Sequence, residues 1–221
     1  MNPLFFMTIK LFAHRGFTAS GANQNSTESL HQAHKNDFLG IEFDIWFVDG
    51  KLLLKHDEPT PQEIPHLPNL SDYFEFGNDF SYWMDFKNLD EKNAARALSL
   101  VKKNIDEAKI ELKQINFAPF ITNYELAKKI FAEIRKIFGE EAQLVAVCEE
   151  LETSEEVKIL REFLTQNNVK FLSIFHQLID KNFVETFSDI ELFAWTVNDE
   201  ARIDQLSKLG VKNFATDKLN P

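Results

Sequence analysis

Strand-like and helix-like segments alternate along all 221 residues, which predicts an α/β protein: a (β/α)8 TIM-type barrel, one domain over residues 1–221. Three observations carry that expectation. Short runs of apolar, β-branched and aromatic residues alternate with stretches of helical periodicity, the pattern of parallel βα units. Eight principal strands can be counted once a hairpin excursion is set apart, and one compact barrel needs eight. The rival architecture, an open doubly wound sheet, is expected to carry a glycine-rich phosphate loop, and the sequence shows none.

Taken in order, residues 9–14 read as the first strand. Residues 25–36 read as a helix, with Asn25 or Ser26 as N-cap and Leu30 and Ala33 on its apolar face. Residues 40–47 form the second strand, and Asp49-Gly50 is a tight hairpin turn into 52–56. Pro59, Pro61, Pro65 and Pro68 then mark a loop, followed by a short helix in LSDYFEF capped by Ser71 or Asp72. A strand over 82–87 leads to an amphipathic helix over 91–105 and a strand over 112–117. The helix over 124–138 is ended by Gly139. Strands over 144–148, 169–174, 191–197 and 211–215 are separated by helices over 155–166, 180–187 and 200–209, the last ended by Gly210. No repeat, linker or low-complexity tract interrupts the series.

Composition narrows the class. A hydrophobic fraction of 44%, with 22 Phe against 7 Gly, argues for a packed core and few freely flexible loops. The net charge of −11 disfavours nucleic acid and anionic membrane as partners, and short loops such as residues 58–68 favour a small-molecule substrate over a lipid. An enzyme of this charge that handles phosphate needs local positive charge at its site. The single cysteine, Cys148, excludes an intrachain disulfide, fits a reducing compartment and lies in the apolar run LVAVC, where a buried, inert thiol is expected. The opening MNPLFFMTIKLFAHRGF is apolar enough to resemble a signal peptide but lacks a basic n-region and a small-residue cleavage site. No run approaches the roughly 18 apolar residues of a membrane span, so no stable membrane insertion is expected and a cytoplasmic location is. No motif sets the oligomeric state.

The chemistry concentrates in residues 11–57 and at one later strand. Glu42 and Asp44 sit two apart on a strand, so both project from one face while Ile41, Phe43 and Ile45 take the other. Two ionised carboxylates at ~4–5 Å repel by roughly 3–4 kcal/mol at an effective dielectric of ~20. A divalent metal removes that penalty, and oxygen-only ligands point to Mg²⁺ or Ca²⁺. The strand over 82–87 adds Asp85 as a third carboxylate, with Lys87 on the same face. His14, Arg15 and His56 fall at strand ends, where a barrel carries its active site. Three acids for a metal and two cations for an anion describe a phosphate site.

These motifs, in this order, resemble the glycerophosphodiester phosphodiesterase family. They are His14-Arg15-Gly16, Glu42-Phe43-Asp44 with the Asp49-Gly50 turn, His56-Asp57, Asp85-Phe86-Lys87, Trp195-Thr196-Val197-Asn198, and Gly210-Val211 with Thr216-Asp217. The resemblance implies metal-dependent hydrolysis of glycerophosphodiesters to glycerol phosphate and an alcohol. Glu42, Asp44 and Asp85 would hold the metal, His14 and His56 would act as general acid and base, and Arg15, Lys87 and Trp195 would contact substrate. Two departures stand out. Gln24 takes the place of a usual glutamate, which is expected to weaken or alter metal binding, and Asp85 is one methylene shorter than the usual third acid. Two rival functions remain: a phospholipase-type lyase that stops at a cyclic phosphate, and a non-catalytic phosphodiester-binding barrel.

Plainer readings apply to other polar residues. His31, His34 and His66 are expected at the surface or in structural roles, and His176 in a structural one. The acidic run over 149–156 reads as a solvated loop and helix start, where acids suit the N-terminal dipole.

Overall fold

The structure, a computed structural model, describes residues 9–120 and 123–221. Residues 1–8 of the opening segment weighed as a signal peptide lie outside the described residues. In chain order the strands are β1 (Lys10–His14), β2 (Gly40–Val48), β3 (Lys51–Leu54), β4 (Ser81–Phe86), β5 (Ile115–Pro119), β6 (Gln143–Cys148), β7 (Phe171–Phe175), β8 (Glu191–Trp195) and β9 (Asn213–Thr216). The helices are α1 (Thr27–Lys35), α2 (Leu70–Tyr73), α3 (Ala94–Ala108), α4 (Tyr124–Phe138), α5 (Ser154–Gln166), α6 (Lys181–Thr186) and α7 (Glu200–Lys208).

Hydrogen-bonded neighbours run β1-β9-β8-β7-β6-β5-β4-β2, and β1 also pairs in parallel with β2, so eight parallel strands close into a barrel. The ninth, β3, lies antiparallel to β2 outside the ring, as the hairpin reading expects. Asp49 and Gly50 make its turn with φ of 49° and 77°, the left-handed pair that a two-residue hairpin of matching twist requires. Among the described residues no helix is long and apolar enough to cross a membrane.

Alternation along each strand divides the apolar residues in two. The larger core, with Ile41, Phe43, Ile45, Tyr82, Met84 and Phe117, lies between the barrel wall and the helices. A smaller cluster of Phe12, Trp83, Ala118, Val145, Phe193 and Ala215 fills the barrel interior. Trp83 meets Phe12 and Phe193 edge-on, with ring centroids 5.6 and 5.0 Å apart, a favoured aromatic geometry. This plug forms a floor, and the next inward residue on each strand, two further along, stands at the C-terminal rim.

Several element ends differ from the sequence reading, each for a local reason. His56 falls beyond β3 and Lys87 just beyond β4, so both side chains stand at the rim and not within a strand. Residues 112–114 form a 3₁₀ turn, so β5 starts only at Ile115. The start of α3 moves to Ala94 because Asp90 accepts from the backbone of Lys92 and Asn93 while Asn93 accepts from that of Asp90. The short helix α2 takes Asn69 as its N-cap, with Asp72 closing back on the Asn69 amide at 2.8 Å. Ser26, not Asn25, caps α1. Cys148 is half-buried, donates to the Glu150 carbonyl, and burial pushes its thiol up to about 11, which keeps it unreactive.

The plug leaves no room beside it. A Cβ on Gly40 would stand 2.5 Å from the Phe12 ring. Gly40→Ala is expected to cost about 1–3 kcal/mol of stability through overpacking, measured by urea unfolding, and Phe12→Leu in the same chain should recover part of it.

Candidate active site

The rim is organised by the turn that ends β1. After His14 the backbone takes left-handed φ values at Arg15 (56°) and Gly16 (79°). A Cβ at Gly16 would lie 2.2 Å from the Ser29 hydroxyl oxygen, so only glycine lets α1 pack this closely on the turn. Ser29 is buried, donates to the Arg15 carbonyl at 3.2 Å, and touches the Tyr73 hydroxyl at 3.2 Å. The turn aims the Arg15 amide at Glu42, where it donates to Oε2 at 2.9 Å.

Strand register sets the carboxylates side by side. His14 pairs with Glu42 across β1 and β2, and Asp44 with Asp85 across β2 and β4. One oxygen from each of Glu42, Asp44 and Asp85 lies within 4.8 Å of the others. Asp44, 1% exposed, is the hub: Lys87 Nζ lies 2.8 Å from Oδ1, and Arg15 Nε lies 3.2 Å from Oδ2. Asn25 donates to Oδ2 at 2.8 Å and accepts from the Asp44 amide at 3.1 Å. Lys87 also reaches Asp85 Oδ2 at 2.6 Å, leaving the buried Asp85 Oδ1 without a partner among the described residues.

These positions split the protonation of the three acids. Burial, with Asp44 and Asp85 nearby, pushes Glu42 well above the usual carboxylate range. Burial pushes Asp85 up to about 6, even against the attraction of Lys87. Burial would also raise Asp44, but Lys87 and Arg15 outweigh it and hold that carboxyl below its ordinary value. The ammonium of Lys87 is raised by Asp85 and Asp44 in spite of burial. The site therefore carries more buried acid than its own cations balance.

His14 is oriented from behind. Its Nδ1 lies 2.7 Å from Asp217 Oδ1, and Nε2 lies 3.8 Å from Glu42 Oε2. Asp217 is itself fixed by Asn198, which donates to Oδ2 at 2.9 Å and accepts from the Asp217 amide at 2.8 Å. The bond from His14 holds Asp217 below the usual carboxylate range against the effect of burial. A carboxylate on Nδ1 keeps the proton there and leaves Nε2 as the working nitrogen. His56 lines the same cleft with its side chain 44% exposed and Nδ1 2.8 Å from Asp57. The cleft spans about 410 Å³ and is also lined by Trp83, Phe120, Val147, Glu149, Ser173 and Trp195.

Every residue expected at the site thus borders one cleft: His14, Arg15, Glu42, Asp44, His56, Asp85, Lys87 and Trp195. Gln24 stands beside the site, where it accepts from Arg15 Nη1 at 3.2 Å. Sequence reasoning placed Asp217 and Asn198 in motifs without a role at the site and offered Asn25 only as a helix cap. The signal was available for Asp217, which follows Ala215 of the plug by two residues and so shares its inward face. Glu149 is exposed in the loop after β6, as the solvated reading of that run expects, and also lines the cleft, while Glu156 accepts from amides that start α5. His31 and His34 pair with Glu75 and Asp79 at the surface, and His176 is held by Arg202 through its carbonyl and ring.

The raised acids give a signed pH effect. A carboxyl whose folded value exceeds its unfolded one near ~3.9 favours the folded state at low pH, and that contribution is lost as pH rises through the folded value. In metal-free protein, Asp85→Asn is therefore expected to raise Tm by at least about 2 °C at pH 7.5 and to change it little at pH 4.5, read by thermal melts at both pH values.

No protein-family model matches the chain, and no curated protein matches it in sequence. Solved structures do match its shape. A phosphodiesterase of Oleispira antarctica, in complex with the product sn-glycerol-3-phosphate, is 16% identical, with 94% of this chain and 92% of that one covered and a TM-score of 0.75. A glycerophosphodiester phosphodiesterase of Parabacteroides distasonis is 20% identical, with 94% and 92% covered and a TM-score of 0.74. One from Thermotoga maritima is 19% identical, with 95% of both chains covered and a TM-score of 0.72. An aldolase also matches, at 9% identity and a TM-score of 0.57. At these identities the likeness shows the fold: a closed (β/α)8 barrel of the form that these glycerophosphodiester phosphodiesterases share.

Proposed function

We propose that the protein is a metal-dependent phosphoric diester hydrolase that cleaves glycerophosphodiesters to glycerol phosphate and an alcohol. The observation that carries this reading is the meeting of Glu42, Asp44 and Asp85 with His14, Arg15 and Lys87 in one cleft at the C-terminal rim. The product named for the Oleispira antarctica structure, sn-glycerol-3-phosphate, belongs to that protein and points the substrate class in the same direction.

A divalent cation suits the trio on two grounds. All three donors are carboxylates, the ligand set of Mg²⁺ or Ca²⁺, and the buried Asp85 Oδ1 is an acceptor with no partner among the described residues. Glu42, Asp44 and Asp85 would hold the ion, which when bound supplies charge neutralisation and polarisation at a phosphoryl oxygen.

The remaining work falls to the chain. Arg15 presents a planar fork and Lys87 a point charge to the phosphate oxygens, and the ion pairs both make with Asp44 fix them in advance. His14 Nε2, with Nδ1 anchored on Asp217, takes the proton from the attacking hydroxyl. His56, more exposed and paired with Asp57, gives a proton to the departing alkoxide. The attacking hydroxyl belongs either to the neighbouring glycerol carbon or to water. Trp195 walls the side opposite the carboxylates.

Turnover of glycerophosphocholine with Mg²⁺ or Ca²⁺ is the direct test, with loss on chelation. His14→Ala and Glu42→Ala are each expected to lower kcat by at least about 10²–10⁴ with the fold retained by circular dichroism. Asp217→Asn should lower kcat by about 10² with little change in KM, because it disturbs the orientation of His14 and not the phosphate contacts. Near wild-type turnover by His14→Ala would overturn the acid–base assignment. A persistent cyclic phosphate without glycerol phosphate, followed by phosphorus NMR, would replace hydrolase by lyase.

A further inference from the structure

The cleft has two unlike sides. Toward β1, β2 and β4 it carries the carboxylates, Arg15, Lys87 and both histidines. Toward β5, β6, β7 and β8 it carries Phe120, Val147, Ser173 and Trp195, with Glu149 at the rim. Strand alternation explains Glu149: Val145 lies in the plug, Val147 lines the cleft, and the residue two further on continues that face just past the end of β6.

Phe120, Val147 and Glu149 also line a side arm that runs outward over Tyr124, Cys148, Glu150, Leu151 and Glu156. Among the described residues no lysine or arginine lines that arm. Tyr124 starts α4 with 38% of its surface exposed, unusual for so large a ring. Phe120 already faces one cation, with Lys87 Nζ 5.3 Å from its ring centre. Glu149 makes no hydrogen bond or ion pair among the described residues. The arm therefore presents two aromatic rings and three glutamates, of which the carboxylates of Glu149 and Glu150 are unengaged among the described residues and that of Glu156 is held at the start of α5, beside a site whose opposite side gathers the phosphate.

We propose that this arm takes the alcohol half of the diester and that Glu149, with Phe120 and Tyr124, selects a cationic alcohol, bearing a primary or quaternary ammonium, over a neutral polyol. The inference rests on the phosphodiesterase reading above and adds the substrate class. With the phosphate held on the charged side, one ester arm must cross toward β5 and β6. An ammonium there gains from the ring faces and from the carboxylate together. A neutral polyol carries no charge to set against the glutamates of the arm and gains little from its ring faces.

The test compares kcat/KM for glycerophosphocholine and glycerophosphoethanolamine with that for glycerophosphoglycerol, in wild type, Glu149→Asp, Glu149→Gln and Glu149→Lys. Wild type is expected to favour the cationic substrates about tenfold. Glu149→Asp should keep most of that ratio, Glu149→Gln should reduce it to about two- to threefold, and Glu149→Lys should bring it to about one or below. A wild-type ratio near one, or a ratio unmoved by Glu149→Lys, overturns the proposal while leaving the hydrolase reading intact. Absence of turnover on all three diesters overturns both.

Discussion

The structure turns on an imbalance of buried charge. Asp44 is sealed beneath the rim and held by Lys87, Arg15 and Asn25 at once, while Glu42 and Asp85 beside it share the same few cations. Removing carboxylates from water is expensive unless their charge is met, and here it is met only in part. The elements nearby are shaped around this arrangement. The left-handed turn at Arg15 and Gly16 delivers an amide and a guanidinium, α1 packs against that turn through Ser29, and the register of β2 with β4 sets Asp85 opposite Asp44. Stability given up there is recovered in the plug of Phe12, Trp83 and Phe193 one layer below.

The plug and the charged rim are two consequences of one period. Inward positions along β1 read Phe12 then His14, along β4 Trp83 then Asp85, and along β9 Ala215 then Asp217. Each strand thus contributes a filler and then a functional group, and the filler is what allows the group above it to be held rigidly. Rigid placement matters because the chemistry proposed depends on fixed hydrogen bonds, such as Asp217 to His14, and not on side chains searching for a partner.

How far the sequence disclosed this depends on the distance over which each signal acts. Glu42 and Asp44 were legible because strand geometry alone puts residues two apart on one face. The helix over 124–138 was legible because its period, its start and Gly139 agree. The service of Asp217 to His14 was not, because it joins residues 203 apart and follows only from closure of the barrel. Asn25 looked like a helix cap because asparagine commonly is one; its side chain instead serves Asp44, and Ser26 takes the cap. The hydrogen bond of Gln24 to Arg15 was hidden for the same reason, since the direction of that guanidinium is set by the turn at Arg15. Glu149 was hidden in a run of acids, and only its continuation of the inward face of β6 distinguishes it from its likewise exposed acidic neighbours.

The bond between His14 and Asp217 joins the first strand to the residue just after the last. Long-range closures of this kind form late, because the entropy of joining distant segments is unfavourable until most of the intervening structure is in place. While the chain emerges during synthesis, the carboxylates of β2 and β4 can assemble, yet the imidazole stays unanchored until β9 docks beside β1. The proposed acid–base role of His14 is in this way coupled to completion of the ring.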